Sequence, residues 1–369
     1  MGVDYTRLYC DSMDIREATR SYEAWLARHT RVVAADLRLK HERMAGSALL
    51  FLRGTFYRWA QQWSEACPEL AGAPRVLAVG DLHVENFGTW RDAEGRLVWG
   101  INDVDEAWRL PYTNDLTRLA TSALLAIRAR RLALSPREAC DAILEGYRRA
   151  LELGGRPFVL EERHAWLRAL ALGELRDPEK FWDHLDALPT ARGAIPMGAL
   201  RAALPDRGLA VRVVSRPAGV GSLGRPRFVA LAAFHGARIA REAKALVPSA
   251  MAWATGRARV PNLCAAILQR AVRDPDPFFA VRGGWIVRRL SPHCSRIDLT
   301  DLSRERDEWR LLRAMGLETG NVHLGSRAPI AADLRRRRGR WLEEAAHAMA
   351  QLVEKEWRVC ARIDGKVGR

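Results

Sequence analysis

Between Arg75 and Arg128 the hydrophobic pattern changes period. Arg75-Val76-Leu77-Ala78-Val79 is a short apolar, β-branched run that stops at Gly80, which predicts a buried strand ending there. Arg96-Leu97-Val98-Trp99-Gly100-Ile101 predicts a second strand, and Asp92-Ala93-Glu94-Gly95 has the composition of a hairpin turn between the two. After Pro111 the spacing lengthens. Leu116, Leu119, Ala120, Ala123, Leu124 and Ile127 recur at helical intervals, with Thr113 or Asn114 placed to cap and Asp115 in the first turn, where the helix dipole favours an anion.

Elsewhere, residues 12–70 read as helical, residues 115–205 as a helix-rich middle broken at Gly154-Gly155-Arg156-Pro157 and Gly193-Ala194-Ile195-Pro196, and residues 206–292 as strands. From Asp301 onward the period is helical again. The expected fold class is therefore α+β with large helical content, in two lobes. Residues 1–205 form a helical lobe that carries the strand hairpin, residues 206–292 a small β-rich lobe, and residues 293–369 helices that pack back on the first.

The strand ends carry the chemistry. Asp81, His83 and Asn86 follow the first strand, and Asp103, Asp105 and Glu106 follow the second, so the hairpin should carry Asn86 out and return Asp103 beside Asp81. Carboxylates meeting at one sheet edge repel one another unless a cation or an Arg lies between them. An Asp, an Asn five positions later and a further Asp after the next strand can supply a phosphoryl-transfer centre. There the first Asp accepts the proton of an attacking hydroxyl, and the Asn and second Asp hold magnesium against nucleotide phosphates. His83 is read as a hydrogen-bonding partner that orients the loop.

A second constellation lies downstream. The stretch from Leu209 to Leu231 reads strand, glycine turn, strand, with Gly219, Gly221 and Gly224 able to let the backbone approach phosphates and Ser222 a further donor. The residues after Gly224 read as a strand rather than a helix, which excludes a dinucleotide fingerprint. Of 59 Lys and Arg, only Lys40, Lys180, Lys244, Lys355 and Lys366 are lysines. Lys244, twenty positions after the last of these glycines, suits a compact ammonium that pairs with phosphates from a third strand.

Taken together, these pieces resemble the bacterial domain-of-unknown-function family numbered 2252, which is related to the protein-kinase-like and aminoglycoside phosphotransferase fold. The matching stretches are Phe51-Leu52-Arg53-Gly54-Thr55, Gly80-Asp81-Leu82-His83 with Asn86-Phe87-Gly88, Ile101 to Ala107, Asp115 to Ala120, Gly219 to Gly224, Lys244 with Pro248-Ser249, and Val287-Arg288-Arg289-Leu290. The resemblance implies a two-lobed, kinase-like fold that is circularly permuted, because the catalytic loop precedes the glycine turn and the lysine. It implies Asp81 as the base, Asn86, Asp103 and Asp105 as metal ligands, Asp115 as a brace, and Arg288 near the nucleotide. ATP and magnesium are the implied cofactors, and a hydroxyl of a small molecule or protein the acceptor. Two departures stand out: no His directly precedes Gly80, and no Glu lies between Lys244 and Gly284 to pair with that lysine. Gln269, Asp274, Asp276 or Glu242 are the candidates to replace it.

A chain of 369 residues, 48% hydrophobic, can bury a large core. Scattered cysteines argue against a disulfide framework or a zinc site, and no apolar run reaches the length of a membrane span, so a cytoplasmic protein without a membrane partner is expected. A formal net charge of +15 invites a nucleic-acid reading, yet the Arg is spread through the chain and interleaved with Asp and Glu. Two alternatives accompany phosphoryl transfer: transfer of AMP from the same site, and a catalytically inactive nucleotide- or nucleic-acid-binding module.

Overall fold

The computed structural model describes residues 13–161, 163–172, 177–257, 260–292, 294 and 305–363. Among them helices dominate, with three antiparallel sheets. The opening helices Ile15–Ala27, Ala34–Ala45, Ala48–Gly54 and Phe56–Ala66 begin where local chemistry dictates. Asp14 caps the first by accepting from the Arg16 and Glu17 backbone, and the Glu17 side chain reaches back to complete a capping box. Ser47 caps the third by accepting from Leu50 N at 3.2 Å.

Strand β1 (Arg75–Ala78) ends one residue before the expected position, at the glycine turn that presents Asp81. Its partner is not the second predicted strand. β2 (Phe87–Arg91) pairs with β3 (Leu97–Ile101) around the Asp92–Gly95 turn, whereas β1 pairs with β4 (Trp108–Pro111). The hairpin thus forms at the predicted turn but between different partners. Phe87-Gly88-Thr89-Trp90-Arg91 has the β-branched and aromatic content of a strand, masked by its glycine and by the polar loop before it.

The helix Tyr112–Arg128 starts at Tyr112 without a side-chain cap. Thr113 and Asn114 are spent on tertiary bonds instead, Thr113 donating to Leu70 O at 2.8 Å and Asn114 Oδ1 accepting from Trp59 Nε1 at 2.9 Å. Every residue from Tyr112 to Ala126 is buried. It is the central rod of the main core, with helices Pro136–Leu153, Glu305–His323 and Trp341–Ile363 packed around it. Packing is close enough that a methyl on Gly146 would stand 1.8 Å from the Arg313 carbonyl oxygen.

After the short β5 (Phe158–Val159), which pairs with β3, the third sheet has five strands, β6 (Arg212–Ser215), β7 (Arg227–Phe234), β8 (Ala237–Ala245), β9 (Ala280–Arg282) and β10 (Trp285–Leu290), in the order β6-β7-β8-β10-β9. The glycine turn, a single 3-10 turn at Val220–Ser222, joins β6 to β7. Helix Pro178–Asp186 covers one face of this sheet, with Leu185 against Val214, Val229, Leu231, Ala240 and Leu290. Helix Met197–Arg201 covers the other through Leu200. Among the described residues no helix is long and apolar enough to cross a membrane.

Candidate functional site

The two sequence-distant constellations meet in one cleft of about 1010 Å³, lined by Asp81, His83, Asn86, Asp103, Asp105 and Glu106 from one side and by Gly219, Gly221, Ser222 and Arg288 from the other. Lys244, on β8, is not part of the lining surface but reaches it, donating to Asp103 Oδ1 at 2.9 Å and pairing with Asp105 Oδ2 at 2.9 Å. Of the predicted site residues, Gly224 stands apart. Its φ of +94° suits glycine, its carbonyl accepts from Val33 N at 2.9 Å, and it fastens the turn to helix Ala34–Ala45.

A polar stripe on the helix Tyr112–Arg128 sets the Asp81 loop. Asp115 accepts from Val79 N at 2.6 Å and Gly80 N at 3.0 Å, Arg118 pairs with Asp81, and Ser122 Oγ accepts from Val84 N at 3.0 Å. Positions 115, 118 and 122 share one helical face, so the stripe tracks the loop in order. Asp115 is held in turn by His323 Nε2 at 3.1 Å, whose Nδ1 meets the Tyr147 hydroxyl at 3.0 Å, all three side chains being buried. Asn321 and His323 lie in the last turn of the helix Glu305–His323. His83 Nδ1 accepts from Glu85 N at 3.2 Å within the same loop.

Gly80 is required by two independent constraints. Its φ is +82°, and a methyl there would lie 2.5 Å from the Glu106 carbonyl oxygen. The Gly80→Ala variant is therefore expected to lose about 1–3 kcal/mol of stability, read as a lower urea midpoint at unchanged slope. An unchanged midpoint would show that the turn relaxes freely.

Asp81 receives the Arg118 guanidinium on Oδ1, Nε at 2.9 Å and Nη2 closer still. Arg118 is fully buried, donates to Leu52 O at 2.9 Å and lies over the Phe56 and Trp59 rings. Burial pushes the Asp81 carboxyl up to about 6, against the pull of Arg118 and with help from Glu106. A methyl on Gly221 would stand 3.5 Å from Asp81 Oδ2 and 3.0 Å from the Arg53 carbonyl, so the glycine turn rests directly over this carboxylate.

The acidic corner after β3 is neutralised by Lys244 on β8 and by Arg225 in the turn before β7. Asn102 N donates to Asn86 O at 3.0 Å, which closes the β2–β3 hairpin and brings the two loop ends together. Arg225 donates to Asp105 at 2.7 Å, Glu106 at 2.9 Å and the Tyr22 hydroxyl at 3.3 Å. Burial works to raise Asp105, but Lys244 and Arg225 outweigh it and hold its carboxyl well below the usual range. Asp103 keeps 41% of its side chain exposed to the cleft, against 11% for Asp105. The acidic partners of Lys244 thus come from residues 103 and 105. Of the expected replacements for the kinase glutamate, Glu242 binds Arg216, Arg227 and Arg288, Asp274 binds Arg96, Asp276 accepts from Phe278 N, and Gln269 lines the cleft.

Sequence reading passed over Arg118, Arg225 and Lys40. In this Arg-rich chain a single arginine carries no signal, although Arg118 lies in register with Asp115 on the helix. Lys40 is only 4% exposed and has no ion-pair partner among the described residues. Burial, helped by Arg225, lowers its ammonium to about 8, with Glu23, Glu106 and Asp81 opposing.

Residues 31–180 match the model of a family described as "Uncharacterized protein conserved in bacteria (DUF2252)". The matched stretch takes in Asp81, Asn86, Asp103, Asp105 and Asp115 and stops before the glycine turn and Lys244. No curated protein and no solved structure matches the chain.

Proposed function

We propose that the chain transfers a phosphoryl group from ATP to a hydroxyl of an acceptor. The observation that carries this reading is the Lys244–Asp103 pair, which joins the glycine-turn sheet to the acidic loop after β3 across 141 residues of sequence. Three features of the sheet accord with kinase architecture: five antiparallel strands, a glycine turn between the first two, and a lysine on the third. This supports a kinase-like fold with the lobe order permuted.

In this reading Asp81 is the base. A carboxyl near 6 is ionised at neutral pH yet more basic than an ordinary aspartate, which suits acceptance of a hydroxyl proton. Arg118 orients it, and Asp115 fixes the loop. Asn86 and Asp103 offer hard oxygen donors at the cleft, with Asp105 beside them. Among the described residues no three His, Cys, Asp or Glu side chains converge to hold a metal alone. That donor set fits magnesium, which takes one or two carboxylates and completes its shell with water and substrate phosphates. When bound, magnesium would neutralise developing phosphate charge. The glycine turn and Lys244 hold the donor phosphates.

A thermal-shift titration tests the reading. ATP with magnesium is expected to raise the melting temperature of the wild type, and the rise should vanish in Asp103→Ala and Lys244→Ala. No rise at millimolar ATP would sink the proposal.

A further inference from the structure

We propose that Arg216 and Arg288, held by Glu242, form a phosphate-binding subsite on the cleft face of the five-stranded sheet. Such a subsite goes beyond the transfer reading and does not depend on it.

Glu242 is fully buried, yet three guanidiniums converge on it: Arg216 Nη1 at 2.5 Å, Arg288 Nε at 2.8 Å and Arg227 Nη1 at 3.1 Å. The register explains the convergence. Glu242 on β8 faces Arg288 on β10, and Arg227 on β7 lies one row along, opposite Lys244. Burial works to raise Glu242, but the three arginines hold it well below the usual range, so it remains an anion. One carboxylate facing three guanidiniums leaves an excess of positive charge on this face. Asp103 and Asp276 also act on Arg288, but Asp103 is already bound to Lys244 and Asp276 accepts from Phe278 N at 3.0 Å.

The unspent donors point to a ligand. Arg227 uses its remaining capacity on Ser222 Oγ at 2.6 Å. Arg216 bonds through Nη1 alone and Arg288 through Nε alone, so among the described residues the Nη2 of Arg216 and both Nη of Arg288 have no partner. All three arginines line the cleft. A guanidinium pre-positioned by one bond and left with an open fork suits a phosphate oxygen pair.

Behind the arginines, the row Val214, Val229, Leu231 and Ala240 is covered by Leu185, Phe181 and Trp182 of the chain's own helix Pro178–Asp186. Toward the cleft the same face presents Arg216, Arg227 and Arg288, whose forks suit phosphate oxygens.

Isothermal titration with inorganic tripolyphosphate, in the absence of magnesium, tests the subsite. Wild type should bind, and Arg216→Ala and Arg288→Ala should each weaken binding about 10-fold or more, since each removes a charge-assisted bond. Either variant leaves Glu242 two arginine partners, and melting curves check that both fold. Arg212→Ala, at the exposed Asp186 pair, should bind as wild type does. Equal affinity in wild type and both cleft variants, or no binding by wild type, would overturn the proposal. ATP competition separates the sources while keeping the subsite: displacement assigns it to the donor's phosphates, and co-binding to a phosphate carried by the acceptor. Tripolyphosphate binding without any magnesium-ATP stabilisation would remove the transfer reading alone. Stabilisation by magnesium-ATP without tripolyphosphate binding would remove the subsite alone.

Discussion

Asp81→Asn should lower transfer by about 10²–10⁴-fold, the range expected when a positioned base is removed. Binding of magnesium-ATP should survive, because the phosphate contacts come from the glycine turn and Lys244. The fold should tolerate the change, because burial outweighs the pull of Arg118 on the Asp81 charge and the amide oxygen can still accept from Arg118. The pH dependence provides a separate readout. With Asp81 raised to about 6, wild-type activity should rise with pH through that value as the base deprotonates. The stability sign is opposite: protonated Asp81 favours the fold below its unfolded value near 4, and that contribution is lost as pH climbs through about 6. An activity limb near 4, or full turnover by Asp81→Asn, would remove Asp81 from the role of base.

Arg225→Met should be among the most destabilising single changes available, about 3–5 kcal/mol by loss of a buried cation that serves two carboxylates. Asp105 and Glu106 would be left with Lys244 alone against them, and the Tyr22 hydroxyl would lose its donor. Methionine has a similar volume, so the loss reports charge rather than a cavity. Because Asp105 is held below its unfolded value, its stabilisation is present above about pH 4 and disappears as pH falls through its folded pKa. The gap between wild type and variant in urea melts should therefore be widest at neutral pH and narrow in acid. A gap independent of pH would mean that Arg225 acts through packing alone.

Much of this site was legible in the sequence, and the illegible parts share a cause. The β3 strand and the helix after Pro111 announce themselves through the period of their apolar residues, and the Asp92–Gly95 turn through its Asp and Gly. The glycine turn is visible because positive backbone angles require glycine, as at Gly219 with φ +73°. Strand β4, by contrast, is Trp108-Arg109-Leu110-Pro111, too short and too close to proline to stand out, so the true partner of β1 stayed hidden. Arg118 and Arg225 were hidden for another reason. Their meaning lies in partners 37 and 120 residues away, and only burial separates them from the many arginines that face water.

The distance between Asp103 and Lys244 also sets a schedule for the newborn chain. At about 5–20 residues per second, roughly 7–28 s of synthesis separate the two residues. For most of that interval Asp103, Asp105 and Glu106 have neither Lys244 nor Arg225 to neutralise them, and mutual repulsion keeps them hydrated. The ribosome therefore delivers the acidic loop long before the sheet that dries it, and the centre closes only after β8 has emerged.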